Sequence, residues 1–87
     1  MKLKKDFVLR QVADTWVVLP LGAESVSFNG MLTLNESGAV LWHALEQGGN
    51  RETMADVLMN EYIVSREEAL ADADAFVEKL LKIGCLE

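Results

Sequence analysis

The chain reads as an α+β domain of winged-helix-like type, a three-stranded antiparallel sheet followed by three helices. Three observations lead there. Short β-branched and aromatic runs, broken by polar and glycine residues, fill the stretch from Phe7 to Phe28. From Asn35 onward the apolar residues take up helical spacing instead. Finally, 87 residues, 51% hydrophobic and 25% charged, are enough for one small core and too few for two, so 1–87 is read as a single domain.

The first strand is Phe7-Val8-Leu9-Arg10-Gln11-Val12, ended by a polar break at Asp14, and the second is Thr15-Trp16-Val17-Val18-Leu19. Their close spacing predicts an antiparallel hairpin. Pro20 has no N–H to give to a ladder, so the second strand ends there or runs along an edge. Val26-Ser27-Phe28 is read as a short third strand, stopped by the turn dipeptide Asn29-Gly30 and left as an open edge.

Leu34, Gly38, Leu41 and Leu45, with Trp42 beside them, form one stripe of a first helix over about 36–47. Asn35 is its N-cap, and Gly48-Gly49 its stop. Gly38 costs such a helix about 1 kcal/mol against Ala, which points to close approach by another element. A second helix is expected from Thr53, where Thr-Met-Ala-Asp resembles a capping box, with Met54, Val57, Leu58 and Tyr62 apolar. Ser65-Arg66-Glu67-Glu68 is a cleaner capping box and opens a third helix over about 66–83.

That third helix carries two apolar stripes. Ala69, Ala73, Phe76, Leu80 and Ile83 form one, and Leu70, Val77 and Leu81, with Asp74 among them, form its neighbour. So wide an apolar face either lies covered on two sides or walls a groove for a partner.

A net charge of −6 argues against nucleic acid, since phosphates repel such a surface. On the third helix Arg66, Lys79 and Lys82 face five acids, a poor balance for a transcription regulator's recognition helix. Neither a signal peptide nor a membrane span is recognisable, and a cytoplasmic location is expected. Cys85 is the only cysteine and is read as a small buried hydrophobe. His43 is the only histidine and lies within a helix, so no metal set forms around it. No nucleophile elbow or phosphate-cradling glycine loop is present. The expectation is a protein that is not an enzyme and needs no cofactor.

Phe28-Asn29-Gly30-Met31, then Leu34-Asn35-Glu36-Ser37-Gly38, Leu41-Trp42, Leu45 and Gly48 resemble the PqqD family. Leu58, Glu61-Tyr62, Ser65, Glu68-Ala69, Asp72, Phe76, Leu80 and Gly84 continue the resemblance, which spans about Phe7 to Leu86. Gly49-Asn50-Arg51-Glu52-Thr53 lengthens the family's glycine–threonine step.

The resemblance implies a RiPP recognition element, a peptide chaperone that holds the leader segment of a ribosomally made precursor peptide. It would present that peptide to a modifying enzyme, a radical SAM protein or another. In the family the leader adds as a strand beside the third strand and lies against the third helix, a mode known as β-augmentation. Carried onto this chain, the edge is Val26, Ser27, Phe28 and Asn29, and the groove wall is Leu70, Ala73, Asp74, Val77 and Leu81. Service in coenzyme PQQ biosynthesis does not follow from membership alone. The alternative use of such a groove is a homodimer contact.

Overall fold

A computed structural model describes Leu3, residues 7–21 and residues 32–86. The expected hairpin is there as β1, Phe7–Val12, and β2, Thr15–Pro20. Their register runs from Phe7 opposite Pro20 to Val12 opposite Thr15, leaving Ala13-Asp14 as a two-residue turn. Pro20 ends β2, where its missing N–H costs the ladder nothing.

The strand beside β2 is β3, Leu32–Leu34, so the sheet order is β1-β2-β3, antiparallel throughout. Val26-Ser27-Phe28 lies outside the described residues, and the pairing with Trp16, Val17 and Val18 is made by Leu34, Thr33 and Leu32. The alternation apolar, polar, apolar places Leu32 and Leu34 in the core and leaves Thr33 exposed on the other face.

Three helices follow: α1, Glu36–Glu46; α2, Arg51–Glu61; and α3, Arg66–Ile83. Asn35 caps α1 as expected, its Oδ1 accepting from the Gly38 N–H at 2.9 Å. The close approach at Gly38 comes from the residue that ends β3: a Cβ there would stand 3.1 Å from Leu34 Cβ. At the other end, Gly48 donates to Leu45 O at 3.0 Å and Gly49 to Ala44 O at 2.9 Å, a Schellman stop. Gly48 takes the left-handed φ of 83°, and a Cβ on Gly49 would meet Ala44 O at 2.6 Å. Both glycines are required by that geometry.

Helix α2 starts two residues before Thr53. Asn50 is its N-cap, accepting from the Thr53 N–H at 2.9 Å and from its hydroxyl at 3.1 Å. Thr53 thus serves the cap without being it. The Ser65 capping box of α3 is complete: Ser65 Oγ accepts from Glu68 N–H at 3.1 Å, and Glu68 Oε1 from Ser65 N–H at 3.2 Å. Gly84 ends α3 at φ 94°.

All six elements share one core. Val18, Leu32 and Leu34 of the sheet meet Leu41 and Trp42 of α1, Met54 of α2, and Ala69, Ala73, Phe76 and Leu80 of α3. Cys85 is fully buried in the same cluster, as the sequence led us to expect. Leu3 bridges to Leu86, so both ends of the described chain lie together.

Candidate functional site

The free edge of β3 follows from the hairpin's geometry. A two-residue turn is closed by a hydrogen-bonded pair, here Val12 and Thr15, and bonded and non-bonded pairs then alternate along the ladder. Thr15, Val17 and Leu19 therefore turn their backbone groups toward β1, while Trp16 and Val18 turn theirs toward β3. Their partners Leu34 and Leu32 are satisfied by β2. The N–H and C=O of Thr33 point the other way, to a side where no strand lies among the described residues. Thr33 was not among the expected contact residues. Its signal in the sequence was the alternation Leu32-Thr33-Leu34, hidden because Leu34 also begins the stripe of α1.

Helix α3 carries the residues expected as the second wall. Its core stripe of Ala69, Ala73, Phe76 and Leu80 is buried, so Ala73 has no surface to offer a ligand. Leu70 and Val77 are half-buried against the core, and Leu81 is 55% exposed. Asp74 lies beside them but is engaged. The Arg51 guanidinium of α2 grips its carboxylate with Nε at 2.7 Å and Nη2 at 2.9 Å. That fork holds the Asp74 carboxyl below the usual carboxylate range. Arg51 belongs to the lengthened segment between the first two helices, and only the folded structure reveals its partner 23 residues away.

The fork also fixes how far α2 covers α3. Helix α2 begins at Arg51, level with Asp74, and the 18 residues of α3 exceed its 11 by about 10 Å of rise. The last two turns of α3 therefore project beyond α2. Val77 and Leu81 lie on that overhang, and Leu70 on the covered part. Arg66, at the start of α3, reaches back along α2 and donates to Asp56 at 2.9 Å and to Glu52. The expected wall is thus divided: Leu70, Ala73 and Asp74 are occupied by packing or pairing, whereas Val77 and Leu81 stand free of α2. Val26, Ser27, Phe28 and Asn29 lie outside the described residues. A separate hollow of about 340 Å³, lined by Gln11, Asp14, Trp16 and Glu36, sits by the hairpin tip and includes none of the expected residues.

Residues 15–86 match the family described as coenzyme PQQ synthesis protein D, PqqD. The chain belongs to the PqqD family. This PqqD-family chain is also similar to two solved structures. One is TbiB1 in complex with the TbiA(beta) leader peptide, with a TM-score of 0.81, 28% identity, and coverage of 100% of this chain and 95% of that one. The other is a lasso peptide synthetase B1 complexed with the leader peptide, with a TM-score of 0.76, 25% identity, and coverage of 98% and 93%. None of the curated proteins matches the chain.

Proposed function

We propose that this chain binds the leader segment of a ribosomally made precursor peptide and presents it to a peptide-modifying enzyme. The observation that carries the reading is that both similar structures, each covering nearly the whole chain, are complexes with a leader peptide. In this reading the leader runs antiparallel to β3 and exchanges two backbone hydrogen bonds with Thr33. At about 1 kcal/mol net for each bond, these supply about 2 kcal/mol. Micromolar binding needs about 8 kcal/mol. The backbone therefore sets position, and apolar side chains of the leader must supply most of the affinity.

Val77 and Leu81 on the overhang of α3 are the groups that receive them. Covering each contributes at most about 2–3 kcal/mol, less for the half-buried Val77. Ala73 supports them from within the core, Leu70 packs behind them, and Asp74 holds Arg51 and α2 in place. No step requires a catalytic group or cofactor on this chain. The modifying enzyme is a radical SAM protein, as the PqqD resemblance implies, or another peptide-modifying enzyme.

Thr33→Pro tests the strand addition. Its N–H faces away from β2, so proline leaves the sheet's own ladder intact while removing the donor and crowding the edge. The far-ultraviolet circular dichroism spectrum should remain that of the wild type. Affinity for a synthetic leader peptide that the wild type binds should fall about tenfold, read by calorimetry. Undiminished binding by a folded T33P protein would refute the strand-addition reading.

A further inference from the structure

Ile63, between α2 and α3, is the most exposed large apolar side chain among the described residues, at 106% of its reference accessibility. It does not sit on a loose tip. The Tyr62 N–H donates to Leu58 O at 2.8 Å, the Val64 N–H to Tyr62 O at 3.1 Å, and the Ser65 N–H to the α3 capping box. The bond from Val64 to Tyr62 closes a three-residue turn with Ile63 at its apex. Tyr62 and Val64 pack on the core, so the side chain between them is held outward. Met59, 40% exposed, lies at the same end, where its sulfur is 4.0 Å from the Arg66 guanidinium.

The surroundings are acidic. Glu61 lies two residues before Ile63, and Glu67 lies in the first turn of α3. Glu36 reaches the same end of the molecule: desolvation raises the Tyr62 hydroxyl's pKa, and the charges of Glu36 and Glu61 raise it further. None of these three carboxylates has an ion-pair partner among the described residues, and Arg66 is already held by Asp56 and Glu52. Single exposed apolar residues are ordinary. A β-branched side chain fixed at a turn apex, at the same end as a second exposed apolar one and beside carboxylates with no ion-pair partner among the described residues, has the form of an interface anchor.

We infer that this end of the molecule docks the peptide-modifying enzyme, through a socket that is apolar at its floor and bordered by lysine or arginine. The inference rests on the leader-binding reading. With β3 and the α3 overhang taken by the leader, the enzyme needs a surface of its own. The rim steers the encounter by charge, and Ile63 supplies the buried anchor.

The test uses a purified peptide-modifying enzyme whose precursor's leader the wild type binds, with that leader present. Binding of enzyme and of leader is measured separately by calorimetry for the wild type, Ile63→Ser and the double variant E61Q/E67Q. I63S should weaken enzyme binding by about tenfold or more, and change leader binding by less than about twofold. Raising salt from about 50 to about 500 mM should weaken the wild type several-fold and the double variant less. I63S binding the enzyme as the wild type does would overturn the inference. So would a wild type that ignores the enzyme, or an I63S change confined to self-association. A wild type that fails to bind leader would instead remove the reading on which the inference rests.

Discussion

Ala13 is the residue at which sequence and backbone are most at odds. It takes a φ of 55° in the hairpin turn, a left-handed conformation that costs an L-residue about 1–2 kcal/mol. Glycine avoids that strain and loses about 0.5–1 kcal/mol of chain entropy in exchange. Ala13→Gly should therefore stabilise the protein by about 0.5–1 kcal/mol, seen as a higher urea midpoint at unchanged slope. At Trp42 the buried indole Nε1 has no hydrogen-bond partner among the described residues. At this scale the sequence was legible wherever a residue acts on its immediate neighbours. Asn35, Ser65 and Gly48 announce caps and a stop that need only a few neighbouring residues to complete. Asp74 was not legible, because its partner Arg51 is brought up only when two helices pack. The resemblance placed it on the groove wall, and in the folded chain its carboxylate is paired with Arg51.

Helices α2 and α3 form a hairpin laced together by two arginines, Arg51 to Asp74 and Arg66 to Asp56 and Glu52. These groups are exposed, so each pair contributes modestly and is weakened by salt. The hydrogen bond from Arg51 lowers the Asp74 pKa in the folded state. The stabilisation is thus complete above the ordinary Asp pKa and is lost as pH falls through the lowered folded value. A carboxyl-carbon titration should place Asp74 below the usual Asp range in the wild type and return it there in Arg51→Met. An Asp74 midpoint unmoved by R51M would deny the fork its role. Element boundaries follow the same logic of range. Helix α3 was readable from Arg66 to Ile83 because a capping box and a long apolar period agree, and Gly84 ends it in the structure. Helix α2 was placed two residues late, because Thr53 imitates an N-cap while serving the Asn50 cap. Strand β3 is three residues long, too short for a period, and its last leucine doubles as the first contact of α1.

For the molecule as a whole, the change from strand to helical spacing at Asn35 carried the fold class, since one core joins all six elements. The site was only half legible, because it depends on where α2 stops along α3, a consequence of relative helix lengths that no local motif records. The account comes down to one backbone position, Thr33, with no partner strand among the described residues, and to the apolar overhang that holds Val77 and Leu81. The direct measurement is amide hydrogen exchange, residue by residue, with and without a saturating leader peptide. Binding by strand addition predicts that the Thr33 amide becomes strongly protected. The Leu32 and Leu34 amides, already bonded to β2, change little, and the amides of 77–83 shift. Saturation by leader with exchange at Thr33 unchanged would contradict the account.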